Sequence, residues 1–150
     1  MGRVIHINGV GKERNQLMRS VTLALQGLVR QDEINEQAHD QAAFIALALE
    51  AISGTIETSV EAWEKRGYWL KADRFRMDWA WTEKLGRAMR DALAKEDWAA
   101  VAATAAQLAI KVKDVEIPQR RRLDQPWVGA WERLQSSELS ARSGSKDLPS

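Results

Sequence analysis

Residues 32–67 read DEINEQAHDQAAFIALALEAISGTIETSVEAWEKRG, and this stretch decides the fold class. We predict one long helix here, capped by Gln31 and Asp32, stopped by Gly67 and spanning roughly 45 Å at 1.5 Å per residue. A second face is also apolar around Ala42–Ala51, so this helix is predicted to be central and covered on more than one side. Its main apolar face, spaced as on one side of a helix, consists of Ile34, Ala38, Ile45, Leu49, Ile52, Ile56, Val60 and Trp63.

The neighbouring segments predict an all-α fold. Hydrophobic periodicity indicates a first helix over residues 12–30, a third over about 69–95, and a fourth that begins after Asp97. We therefore expect an antiparallel bundle of four main helices that forms a single domain, residues 1–135. The predicted core face of the third helix consists of Leu70, Met77, Trp81, Leu85, Ala88 and Ala92, widened to one side by Phe75, Met89 and Leu93.

The two ends of the chain are predicted to differ from this bundle. Arg3–Ile7 is rich in β-branched residues and is expected to form an extended N-terminal arm. Pro126 is expected at the first position of a short extra helix, Trp127–Gln135. Residues 136–150 are Ser-rich and poor in apolar residues, so we predict a disordered tail.

The composition excludes several classes of function. Apolar residues make up 45% of the 150 residues and charged residues 29%, enough to bury a core. Lys and Arg number 22 against 21 Asp and Glu, so no global field favours nucleic acid or membranes. There is no Cys, which excludes disulfides, thiolate metal sites and a Cys nucleophile. Neither a signal peptide nor an apolar run of membrane-spanning length is recognisable, so we expect a cytoplasmic protein without a membrane partner.

Acidic and basic residues are separated along the chain. Residues 31–64 contain eight acids and no Lys or Arg, whereas residues 65–95 contain nine bases and four acids. Because Lys71, Arg74 and Asp78 fall on the predicted apolar face of the third helix, they need partners there. We predict a buried charge network formed by Glu57, Glu61, Glu64, Lys71, Arg74 and Asp78. A pocket for a small ligand or a metal at the same cluster is an alternative.

Motifs for catalysis or cofactor binding are incomplete. Residues 9–12 have the glycines and the lysine of a phosphate-binding loop, but His6 and Glu13 stand where Gly and Ser or Thr are needed. Glu36 and His39 have the Glu-x-x-His spacing of di-iron bundles, but a second such element is missing because His6 is the only other histidine. We therefore predict no catalytic residue, no metal and no cofactor, and a protein that is not an enzyme.

Basic residues raise nucleic-acid binding as an alternative function. Trp79 lies off the main apolar face and is able to stack on an unpaired base. Asp73, Glu83 and Asp91 interrupt the basic face, which weakens this hypothesis. The residues that would contact RNA or single-stranded DNA are Arg76, Arg87, Arg90, Arg120, Arg121 and Arg122.

The C-terminal segment is the most suggestive feature of the sequence. Trp127, Trp131 and Leu134 share one face of the predicted short helix. Such a helix docks either onto its own bundle or into a groove of a second copy or of another protein. We assign Trp127, Trp131, Leu134 and Trp79 as candidate partner-binding residues. The favoured function is a small non-catalytic interaction protein that self-associates, as a homodimer or a larger homo-oligomer.

Overall fold

The structure is a computed structural model, which describes the backbone of residues 2–147 and the side chains of residues 9–138. It is all-α, with no strand in the described residues, so the predicted fold class is confirmed. The elements are α1 (Gly2–Val29), α2 (Glu36–Lys65), α3 (Trp69–Ala94), α4 (Trp98–Lys111), a 3-10 turn (Gln119–Arg121) and α5 (Ala130–Asp147).

The central helix is α2, which contacts α1, α3 and α5. Its cap is Asn35, whose side-chain oxygen accepts a hydrogen bond from the Ala38 amide at 2.8 Å. The predicted cap at Gln31 and Asp32 is therefore wrong, and Ile34 lies before the helix with 56% of its surface exposed. Gly67 has φ +81 and follows the last turn of α2, which confirms it as the stop.

The predicted N-terminal arm is wrong, because α1 begins at Gly2 and includes Arg3–Ile7. A helix bonds its backbone groups within one segment, whereas an isolated strand has no ladder partner for them. Gly9 and Gly11 cost about 1 kcal/mol each relative to alanine, which is too little to interrupt a helix of this length. Val10 is buried, so α1 packs on the bundle at this position.

The helices α2 and α3 form an antiparallel hairpin. Trp63 meets Phe75 near the turn, with ring centroids 4.7 Å apart, and Glu50 meets Arg90 at the far end. The helices approach closely at Gly86, where an added Cβ would lie 3.1 Å from the Leu49 Cβ. A glycine at this crossing lets the two backbones come together.

The predicted core face of α3 is wrong in its first half. Leu70 is 85% exposed and Met77 is 77% exposed, whereas Ala72 is buried. The part-buried side chains of this half are Phe75 and Trp79, which pack against the small cluster around Val60 of α2. In the second half of α3 the prediction holds, since Leu85 and Ala92 are buried with Met89 and Leu93.

The length of α4 explains why the two halves of α3 differ. Asp97 caps α4 as predicted, and its side chain accepts from the Ala100 amide at 3.1 Å. The helix has 14 residues against 26 in α3, so it covers only the second half of α3. Lys111, the last residue of α4, lies 6.0 Å from the Trp81 ring. Past this point the apolar face of α3 continues to Met77 and Leu70, and no described residue covers these two side chains.

The C-terminal helix is longer than predicted and begins later. Pro126 does not start it, because residues 126–129 form a turn and Gly129 has φ +81. The Asp40 carboxylate of α2 accepts from the Trp131 amide at 2.9 Å and from the Gly129 amide at 3.3 Å, which fixes the start of α5. The backbone is helical to Asp147, past the predicted end at Gln135. Disorder over residues 136–150 stays a prediction, and residues 148–150 lie outside the described part of the chain.

Candidate interaction surfaces

Three of the predicted partner-binding residues pack against the chain's own α2 and its neighbours. Trp127 is 6% exposed and Leu134 is 2% exposed, and Trp131 is partly buried against the same core. The Trp127 ring lies 3.6 Å from the Cβ position of Gly27, an ordinary contact distance. A side chain at Gly27 would instead collide with the Gln41 amide. Of the two docking modes, the structure shows the intramolecular one, and these three residues do not form a free surface.

Trp79, the fourth predicted partner-binding residue, is also part-buried. It stacks on Trp81 with 6.0 Å between ring centroids and lies 6.2 Å from Phe75. This aromatic group covers one side of the Arg14 guanidinium, whose carbon is 5.7 Å from the Trp79 centroid.

Arg14 of α1 fills a half-buried polar position between the first three helices. Its Nε donates to Thr55 Oγ1 at 3.0 Å, and its Nη2 donates to Ser59 Oγ at 2.8 Å and to the Thr55 carbonyl at 3.1 Å. Phe75 and Trp79 lie against the guanidinium, and no carboxylate pairs with it among the described residues. Burial lowers the pKa of Arg14. This contact was not predicted from the sequence, because it joins residues on three helices.

His39 sits at the junction of three elements. Its Nδ1 lies 2.9 Å from the Asn35 carbonyl, and its Nε2 lies 2.6 Å from Glu96 Oε1. The ring packs edge-on to Trp98 at 4.9 Å and lies 5.2 Å from Trp131. His39 therefore links α2, the α3–α4 turn and α5.

The protonated form of His39 suits this junction best. Both ring nitrogens face oxygen acceptors, and only the imidazolium has two N–H groups to donate. Burial opposes protonation, but the Asn35 carbonyl and the Glu96 carboxylate outweigh it, so the pKa of His39 is raised. Neither nitrogen faces Glu36, the other half of the Glu-x-x-His spacing. No group of three or more His, Asp or Glu side chains able to hold a metal occurs in the described residues.

The basic residues assigned to nucleic-acid binding fall into two groups. On α3, three arginines face carboxylates: Arg90 forms charge-assisted bonds of 2.7 Å to Glu50 and 2.8 Å to Glu138. Arg87 pairs with Glu83 at 3.0 Å, and Arg76 lies 3.6 Å from carboxylates of Glu57, Glu64 and Asp73. The hydrogen bonds that Arg90 donates to Glu50 raise the pKa of Arg90, against the effect of burial. The residues of the second group, Arg120, Arg121 and Arg122, lie at the 3-10 turn and make no ion pair among the described residues.

The predicted buried charge network is wrong as a buried feature. Its members are exposed except Glu64, which is partly exposed, because the core face of α3 is rotated away from Lys71, Arg74 and Asp78. Lys71 instead lies 4.7 Å from the Trp63 ring as a cation–π contact. Arg76 connects the two helices here through Glu57 and Glu64, as Arg90 does through Glu50 farther along α3. The six members of the predicted network are exposed at Glu57, Glu61, Lys71, Arg74 and Asp78 and partly exposed at Glu64.

Large apolar side chains are exposed together at the α2–α3 turn, an end of the molecule that we call the tip. Leu70 and Met77 lie on one exposed face of α3, with Tyr68 and Trp69 at its start. We call these four residues the tip surface; each is more than half exposed. Periodicity predicted Leu70 and Met77 as core, because the sequence shows an apolar face but not how far the covering helix reaches.

A second apolar surface lies at the opposite end of the molecule, which we call the base. It is a groove of about 470 Å³ between the α1–α2 connection and α4. We call it the α1–α4 groove, and its apolar walls are Leu28, Val29, Ile34, Ala38, Trp98, Val101, Ala102, Ala105, Ala106 and Ala109. Asp32 and Glu33 stand at its edge together with Gln31.

Among the described residues one helix, α2, is long and apolar enough to cross a membrane by length and composition alone. Half of its apolar window is buried against other helices, and the core helix of a bundle passes the same test. This is weak evidence for a span, and the cytoplasmic location stays a prediction.

Comparison with known proteins gives no relative. No family model matches the chain, and neither the curated proteins nor the solved structures contain a significant match.

Proposed function

We propose that this chain is a non-catalytic helical interaction protein that self-associates through the tip surface. The observation that carries the proposal is the exposure of Leu70 and Met77 on one face of α3, beside the exposed Trp69. Monomeric proteins rarely leave large apolar side chains grouped in this way, and Trp, Tyr and Met are enriched at interfaces. The proposal assigns no catalytic residue and no cofactor.

The structural context supports an interface at this face. The same face of α3 is buried farther along at Leu85, and Trp81 lies half-buried where α4 ends. A helix from a second copy, laid over Leu70 and Met77, would continue the cover that α4 provides for the rest of α3. We therefore place the partner helix in line with α4.

The proposal is tested by the mass of the protein in solution. We expect the native chain to shift from one-chain to larger species between about 1 and 500 µM, the range that a modest interface covers. The double variant Leu70→Glu, Met77→Glu is expected to stay at the mass of one chain in multi-angle light scattering. Both positions are exposed, so the variant is expected to keep its circular dichroism spectrum and melting temperature.

A matched control separates the tip surface from exposed apolar residues in general. Leu123 is 94% exposed and lies outside the tip, so Leu123→Glu is expected to associate as the native chain does. A native chain with the mass of one chain at every concentration would overturn the proposal. Unchanged association of the double variant would overturn the role of the tip.

Nucleic-acid binding is a second proposal, and fewer observations support it than support self-association through the tip surface. Of its six arginines, three already face carboxylates, which leaves Arg120–Arg122 as the basic group. Loss of salt-sensitive binding to single-stranded RNA in an Arg120–Arg122 to glutamine variant is the measurement that would favour it.

A further inference from the structure

The α1–α4 groove has the shape and chemistry of a site for an apolar helix face. Its floor is made by small side chains of α4, including Ala102, Ala105 and Ala106, which allow a second helix to approach closely. Larger apolar side chains, Leu28 and Val29 of α1, form one wall. From Trp98 to Ile110, α4 contains no charged residue, so nothing charged is desolvated when the floor is covered.

The edge of the groove is acidic. Asp32 and Glu33 are exposed at the α1–α2 connection, and neither takes part in an ion pair among the described residues. Carboxylates beside an apolar groove favour an occupant that carries basic groups next to its apolar side chains.

The tip surface carries that pattern. Arg74 and Lys84 lie within one turn of Met77 and Trp81 on α3, on either side of the exposed apolar face, at 100° per residue. Both bases are exposed, and neither forms an ion pair within the described part of the chain. Asp73, near the same face, is paired with Arg76, and Asp78 is an exposed acid within one turn of Met77 that opposes the two bases. The flank of the tip is therefore basic in excess, whereas the edge of the groove is acidic.

The two surfaces of one chain cannot meet each other. The groove lies where α2 begins and the tip lies where α2 ends, and the 30 residues of α2 separate them by about 45 Å. Contact between the surfaces has to join different copies.

We infer that the tip surface of one copy binds in the α1–α4 groove of a second copy, with Arg74 and Lys84 facing Asp32 and Glu33. The contact is heterologous, because each copy contributes a different surface. Two chains that lie side by side in opposite directions make both contacts and close as a dimer; otherwise the assembly continues from chain to chain. This inference rests on the proposed self-association and adds the surface that receives the tip.

A mixing experiment tests the inference. The groove variant is Ala106→Glu, which places a charge in an exposed part of the groove floor. The tip variant is Leu70→Glu, Met77→Glu. Each variant alone is expected to have the mass of one chain, and its self-dissociation constant is expected to rise at least tenfold. Mixed in equal amounts, they are expected to form a species of two chains, because one intact tip then meets one intact groove.

The control for the groove variant is Ala103→Glu, which is exposed on the same helix but does not line the groove. It is expected to associate as the native chain does.

The alternative outcomes separate the inference from the proposed function. If the Ala106→Glu variant associates like the native chain while the tip variant does not, the tips bind each other; the inference fails and the proposed function stands. If the mixture keeps the mass of one chain, the inference also fails. A native chain that never associates overturns both.

Discussion

The base and the tip of the molecule are built from the same long helices but are held together differently. At the base, the first half of α2 is enclosed by its neighbours, and Ile45, Leu49 and Ile52 are fully buried. At the tip, the buried cluster formed by the described residues consists of Ile56, Val60 and Ala72, with aromatic rings packed against it. Most of the apolar burial, and hence most of the stability, therefore lies at the base.

The contacts that replace apolar burial at the tip are polar and aromatic. Arg14 joins α1 to Thr55 and Ser59 of α2, and the rings of Phe75 and Trp79 lie against its guanidinium. Cation–π contacts of this kind contribute about 0.5–2 kcal/mol, less than a buried large side chain. Among the described residues, the larger buried cluster therefore lies where α4 and α5 reach, and a smaller one lies between α2 and α3 at the tip.

The largest expected effect is at Trp127, which anchors α5 at the base. Trp127→Ala removes a buried ring beside Gly27 and is expected to lower the free energy of unfolding by about 3–5 kcal/mol. Urea denaturation followed by circular dichroism measures the change.

Met77→Ala is the matched substitution at the tip. Met77 is 77% exposed in one chain. At concentrations where the protein is monomeric, we therefore expect the free energy of unfolding to change by no more than about 0.5 kcal/mol. Equal losses for the two variants would contradict the distinction between base and tip.

An intermediate effect is expected from a pair of glycines on the facing helices. Gly86→Ala would bring a methyl group within 3.1 Å of the Leu49 Cβ, and the backbone of α2 behind it cannot move aside. We expect a loss of about 1–2 kcal/mol in the free energy of unfolding.

Gly54→Ala is the control, because an added Cβ at Gly54 meets no atom within 4 Å. Here the better helix propensity of alanine is expected to stabilise the protein by about 0.5–1 kcal/mol. Chemical denaturation of the two variants should give changes of opposite sign. A gain for both would mean that the helices are not in close contact at Gly86.

The features of the fold that could be predicted from the sequence are the local ones. Features that depend on helices distant in the chain could not be predicted. The Asp97 cap, the Gly67 stop and the buried face of α2 follow from spacing along one helix, and they were predicted. The exposure of Leu70 was not, because it depends on where α4 ends. The N-cap of α2 is Asn35 and not Asp32, because the Asn35 side chain is placed to accept a hydrogen bond from the Ala38 amide. Residue spacing alone does not determine which polar residue caps the helix.

The candidate site was less accessible to sequence analysis than the fold. Leu70 and Met77 of the tip surface were predicted as core but are exposed. Trp127, Trp131 and Leu134 were assigned as partner-binding residues, but they pack on the chain's own bundle, which was one of the two predicted docking modes. Asp40 and His39 were missed as the anchors of α5, since the residues that they meet lie far along the chain.

The smallest expected effect is the pH dependence of the His39 junction at the base. Because its pKa in the folded protein is raised, the folded chain binds the proton more tightly than the unfolded chain. The added stability is fully present below the ordinary histidine pKa and is lost as pH rises through the raised value. From about pH 6 to pH 8 we expect the native protein to lose no more than about 1 kcal/mol.

The comparison with His39→Gln isolates this contribution. The other histidine, His6, is present in both proteins, so the difference between their unfolding free energies reports His39 alone. The difference in unfolding free energy between the native protein and His39→Gln should shrink as pH rises. The Glu96→Gln variant should show a weaker dependence of its unfolding free energy on pH than the native protein. Parallel profiles for the native protein and His39→Gln would show that the ring does not bond Glu96.

The bonds between Asp40 and the start of α5 join groups 89 and 91 residues apart in the chain. Closing so long a loop is entropically costly and slow compared with forming the α2–α3 hairpin, so α5 is expected to dock late in folding. During synthesis on the ribosome, one apolar face of the first half of α2 stays uncovered until Trp127 and Leu134 have emerged. The nascent chain thus carries an uncovered apolar surface until its C-terminal segment emerges, and we expect chaperones to bind it at that stage.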